Sequence, residues 1–133
     1  MSTRSLGRAG EESAALYLTE NGYTVIARNV QMGHLEIDII AGNETHILFA
    51  VVKTRRAYPG AKNRFGRPAD AVDTKKRSRL LSAARLFMRE NAHVCGERIP
   101  NIDVIEVYAD PASETYRVLE IRHFRNAVNG MKS

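Results

Sequence analysis

Three features of this 133-residue chain predict an α/β fold, a central mixed β-sheet flanked by helices. Two stretches, 7–22 and about 68–91, carry the apolar spacing of amphipathic helices. Five others alternate or run apolar over strand lengths, which gives the order α-β-β-β-α-β-β. One of these, HILFAVVK at 46–53, is apolar on both faces, as in a strand covered from above and below. A hydrophobic content of 44% over this length suits one core, so residues 1–133 are read as a single domain.

The first helix takes its inward stripe from Ala14, Ala15, Leu16 and Leu18, carries Glu11 and Glu12 in its first turn, and stops at NGY. YTVIARNV follows as a strand rich in β-branched residues. Next, Leu35, Ile37 and Ile39 are expected on one face of a strand and Glu36, Asp38 and Ile40 on the other. AGNET supplies a turn, and the returning strand sets Ile47, Phe49, Val51 and Lys53 opposite Leu48, Ala50 and Val52. The second helix opens near Pro68, with Val72, Leu80, Ala83, Ala84 and Phe87 inward and Lys75, Arg77, Arg85 and Arg89 outward. IPNIDVIEVYA and TYRVLEIRH, joined by DPASE, close the sheet.

The net charge of +5 favours a polyanionic partner, nucleic acid before an anionic membrane surface. A single cysteine, Cys95, excludes an internal disulfide, and no zinc-type spacing of Cys and His is present. The first residues carry acids where a signal peptide needs an apolar run, and no stretch reaches the length of a membrane span. A cytoplasmic protein without membrane contact is the expectation. The four histidines show no ligand spacing and are expected at the surface.

Between Lys53 and Arg67 stand six basic residues, Lys53, Arg55, Arg56, Lys62, Arg64 and Arg67, without one acid, among YPG and FGRP. A solvated stretch needs no such bias, whereas phosphate contact does. Asp38 and Lys53 come from two strands of one hairpin and are expected to meet if its register centres near Asn43. A carboxylate holds a hard divalent cation, and a neighbouring lysine orients water or phosphate. A second carboxylate is expected two residues before the lysine, on the same face, where this chain has Val51. Glu36 shares a face with Asp38 and is the nearby acid able to take that place.

The stretches GRAGEESAALYL, GYTVIARN, EIDIIA, ILFAVVKTR, FGRPADAVDTKK, IDVIEV and RHFRNAV resemble, in order and spacing, the bacterial YraN-like family. That family is similar to the restriction-endonuclease-like PD-(D/E)xK nucleases and to Holliday-junction resolvases. The resemblance implies their fold, with Asp38 as metal-binding aspartate, Lys53 as catalytic lysine, Glu11 as the helix glutamate and Lys76 as the basic residue of the second helix. It implies Mg²⁺ or Mn²⁺ as cofactor with Asp38 as a ligand, beside which Glu36 is the acid placed to replace the missing one, and a homodimer able to present two sites to a symmetric substrate. The chain departs from the pattern at Val51, at Leu35 in place of a glycine, and at NID before the next strand. Two functions follow. One is a DNA-binding, nuclease-like protein with a metal-dependent endonuclease site weakened at Val51, gripping phosphate through Arg55, Arg56, Lys62, Arg64, Arg67 and Lys76. The other is a non-catalytic interaction or scaffold module.

Overall fold

The computed structural model describes residues 3–59, 74–112 and 115–127. Among them follow α1 (Thr3–Glu20), β1 (Thr24–Met32), β2 (Leu35–Gly42), β3 (His46–Arg56), α2 (Thr74–Glu90), α3 (Ala92–Cys95), β4 (Ile99–Ala109) and β5 (Val118–Phe124). This is the expected order, with the single turn of α3 added; four residues are too few to show a helical period.

The five strands lie in chain order, β1-β2-β3-β4-β5. β3 and β4 are parallel and every other neighbouring pair is antiparallel, so the sheet is mixed as predicted. α1 covers one face, over Leu48 and Ala50 of β3 and Ile105 and Val107 of β4. α2 covers the other, with Leu80, Ala83, Ala84 and Phe87 against Ile37, Ile40, Phe49, Val51 and Ile102. β3 alternates between these two cores as expected from its doubly apolar sequence, and burying both sets of side chains is the main drive for the three-layer arrangement.

Two expected faces need correction. Leu16 is 60% exposed, while Ala14 and Leu18 are fully buried. With positions 14 and 18 stacked one turn apart on the inner face, the residue midway between them must point outward. In β2, Ile37 joins the α2 core and Ile39 the α1 core, so these two residues do not share a face. β2 continues beside β1, but its ladder to β3 reaches only Ile39 opposite Ala50. Beyond it the Asp38 side chain replaces a backbone carbonyl, its Oδ2 accepting the Val52 N–H at 2.7 Å. The hairpin register centres between Glu44 and Thr45 rather than near Asn43, because Asn43 Oδ1 accepts the Thr45 and His46 backbone N–H groups and fixes the turn.

A partly buried polar chain ties α1 to β5 and β4. Tyr17 Oη meets His123 Nδ1 at 3.0 Å, and His123 Nε2 meets Asp103 Oδ2 at 2.6 Å. Asp103 Oδ1 also accepts the Asn126 N–H at 2.9 Å. The His123 side chain is 3% exposed, so this histidine is not the surface residue expected; its role follows from an aspartate one strand away, which spacing along the chain does not reveal.

Candidate functional site

The interruption at Asp38 is what builds the site. An aspartate at a regular strand position stands perpendicular to the sheet. Here it lies along the gap between β2 and β3, tied to the Val52 amide. Glu36, two residues earlier on β2, and Glu11, on α1, bring their carboxylates to the same place. Ligand oxygens of Glu11, Glu36 and Asp38 all lie within 4.8 Å of one another.

α1 reaches this position because of Gly10. A Cβ there would collide with the Thr54 side chain on β3, so only glycine lets the helix lie this close to the sheet. The next residue is Glu11. Since α1 begins at Thr3, Glu11 lies two turns inside the helix, not in its first turn as expected, and the macrodipole gives no account of its placement.

Electrostatics reflect the crowding. Burial raises the pKa of Asp38 above its ordinary value; Glu36 pushes it the same way, while the Val52 N–H, Lys76 and Lys53 oppose the rise. Burial likewise raises Glu11, aided by the charges of Asp38, Glu36 and Glu12 and opposed by Arg28. Three carboxylates thus repel one another beside two lysines, one from β3 and one from α2. Asn29 of β1, with its amide nitrogen turned toward the acids, donates to Glu11 Oε1 at 2.7 Å and Glu36 Oε1 at 2.8 Å. It holds a left-handed backbone conformation, φ 53°, which asparagine tolerates better than most residues.

The predicted site residues therefore divide into four groups. Glu11, Glu36 and Asp38 converge, with Lys53 and Lys76 close enough to act on Asp38. Arg55 is turned to the sheet, where its Nε donates to Oε2 of the fully buried Glu106 at 2.7 Å. Tyr108 Oη donates to the other Glu106 oxygen at 3.0 Å, and burial with this neighbour pushes the Tyr108 pKa up to about 12. Arg56 is exposed at the end of β3. Lys62, Arg64 and Arg67 lie outside the described residues. Asn29 was missed in the sequence, where an asparagine inside a strand pattern, next to an arginine, was the only sign of it.

Val51, at the place of the absent carboxylate, is 3% exposed and packs in the α2 core. The donors that do converge are hard oxygens, as a divalent cation requires, and their mutual repulsion is the kind that a cation relieves. On that chemistry Glu11, Glu36 and Asp38 suit a bound Mg²⁺ or Mn²⁺.

Residues 10–107 match the model of Uncharacterised protein family UPF0102. The UPF0102 protein of Symbiobacterium thermophilum is 41% identical over 110 residues, covering 82% of this chain and 86% of its own. That of Caldicellulosiruptor saccharolyticus is 38% identical over 128 residues, 96% of this chain and 99% of its own. That of Clostridium botulinum is 32% identical over 120 residues, 90% and 93% respectively.

Proposed function

The chain belongs to Uncharacterised protein family UPF0102, and on that premise we propose that it is a nucleic-acid-binding protein with a divalent-cation-dependent, nuclease-type site. One observation carries the reading: three carboxylates from two different elements lie within 4.8 Å of one another, beside Lys53 and Lys76. In this reading Asp38, Glu36 and Glu11 hold Mg²⁺ or Mn²⁺. When bound, the ion supplies a Lewis acid for a phosphate oxygen and acidifies water. Lys53 holds a phosphate oxygen or orients the attacking water, and Lys76 adds positive charge from the helical side. Asn29 keeps the two glutamates together. Glu36 takes the part of the acid absent at position 51.

The substrate that fits the charge balance is DNA, with Arg56 and the basic stretch through Arg67 as further phosphate contacts. The test is cleavage of linear and branched DNA with Mg²⁺ and with Mn²⁺, beside Asp38→Asn and Lys53→Ala. Cation-dependent cleavage lost in both variants is expected. Absence of cleavage on every substrate, together with unchanged thermal stability over millimolar Mg²⁺, overturns the metal site. DNA binding without cleavage leaves a nucleic-acid-binding protein. The interaction-module reading draws on the packing of Val51 into the core, and it prevails if DNA is not bound either.

A further inference from the structure

A cavity of about 330 Å³ lies between α2 and the tip of the β1–β2 hairpin and shares no lining residue with the carboxylate cluster. Met32, Leu35, Ala83 and Leu86 give it apolar walls, and Met32 and Leu35 also pack against the core under α2. His34, Ser78, Arg79 and Ser82 line it as well, and all four are exposed, so they form its mouth. Among the described residues no carboxylate lines it.

An unfilled joint between a hairpin and a helix leaves a hollow of this kind, but it does not account for the residues around this one. A leucine at position 78 or 82 would close the hollow and bury more apolar surface, yet the chain has serine at both. The helix that supplies them is cationic: α2 carries Lys75, Lys76, Arg77, Arg79, Arg85 and Arg89 against one acid, Glu90. An apolar slot bordered by an imidazole, a guanidinium and two hydroxyls, on a positively charged helix, is complementary to a planar heteroaromatic ring joined to an anion. Its volume, at the low end of the ~300 to 1,000 Å³ of small-ligand sites, suits one such ring. An amphipathic peptide helix needs anchors spread over i to i+7 and finds no room for them.

We infer that this cavity is a base-binding pocket for an unpaired nucleotide of a nucleic-acid strand, with the base against Met32, Leu35 and the His34 ring and an adjoining phosphate held by Arg79. The inference rests on the nucleic-acid reading above and names its substrate class: a strand unpaired at this point, because a base stacked inside a duplex offers no face to a pocket. Two segments of chain put the pocket near the carboxylates. On β2, Leu35 precedes Asp38 by three residues, about 10 Å along a strand. On α2, Arg79 follows by three residues, less than one turn, the Lys76 that acts on Asp38. One bound strand can therefore occupy both places.

The experiment measures affinity of the full chain for fluorescently labelled oligo(dT), and for an oligomer of the same length built of abasic sites, across a salt series in EDTA. Ser82→Phe, which fills the cavity from an exposed position, and His34→Ala are each expected to weaken oligo(dT) binding about tenfold while leaving abasic binding unchanged. Arg79→Ala is expected to weaken both and to flatten the dependence of log affinity on log salt by about 0.7. The pocket is overturned if Ser82→Phe binds oligo(dT) like the natural chain, if it weakens both oligomers equally, or if the natural chain binds the two oligomers alike. Because EDTA removes the cation, these outcomes are independent of the carboxylate cluster. Binding of oligo(dT) that Ser82→Phe does not alter sinks the pocket and leaves the nucleic-acid reading standing. No binding of either oligomer by the natural chain, at any salt, sinks both.

Discussion

At the scale of single residues, position 51 is where the chain departs from the two-acid pattern that the sequence resemblance implies. From sequence, Val51→Glu is the change that would complete the site. In the fold the Val51 side chain lies among Ile37, Phe49, Leu80 and Phe87, whereas Glu11 packs from the opposite helix. A glutamate at 51 therefore loses its water without gaining the cluster. We expect Val51→Glu to destabilise the protein by about 1 to 3 kcal/mol in urea unfolding, with no recovery in millimolar Mg²⁺. Recovery by Mg²⁺ in the variant alone, reversed by adding Asp38→Asn, would mean that the new carboxylate reaches the metal. Asp38 and Lys53 were legible in the sequence because an acid and a lysine in otherwise apolar strands have few structural uses. Asn29 was not, since its contacts depend on which residue of α1 comes to lie beside it.

Whole elements were easier to read than the places where they break. The doubly apolar β3 announced a covered central strand, and the structure confirms its alternation between two cores. β2 also reads as a strand, but the apolar pattern Leu35, Ile37, Ile39 misassigns one face because an Asp38 side chain has entered the ladder. Periodicity assumes a regular backbone, so it fails at the irregularity that makes the site. α1 shows the same limit. Its stripe was clear, but its depth against the sheet depends on one missing methyl group, at Gly10. Gly10→Ala is expected to destabilise by about 1 to 2 kcal/mol, because overpacking against Thr54 exceeds the roughly 1 kcal/mol gained in helix propensity. In a double-mutant cycle measured by urea unfolding, Thr54→Ala should offset part of this loss. Additive effects would show that the loss does not come from overpacking against Thr54.

For the molecule as a whole, fold class and family are established, and among the described residues no helix is long and apolar enough to cross a membrane. The sheet has one further consequence, for the route by which it assembles. β1, β2 and β3 are joined by short turns and pair with their neighbours in sequence, a meander that closes with little loss of chain entropy. β4 instead pairs in parallel with β3 along its full length, across the intervening residues 57–98. Joining it requires the longest loop closure in the sheet, so the kinetic barrier falls before β4 docks or as it docks. If the meander forms the nucleus, Ile40→Val in β2 slows refolding, while Ile102→Val in β4, of similar ~1 kcal/mol effect, mainly speeds unfolding. Stopped-flow chevrons of the two variants report this directly: a larger φ-value at Ile102 than at Ile40 would put the parallel pair first.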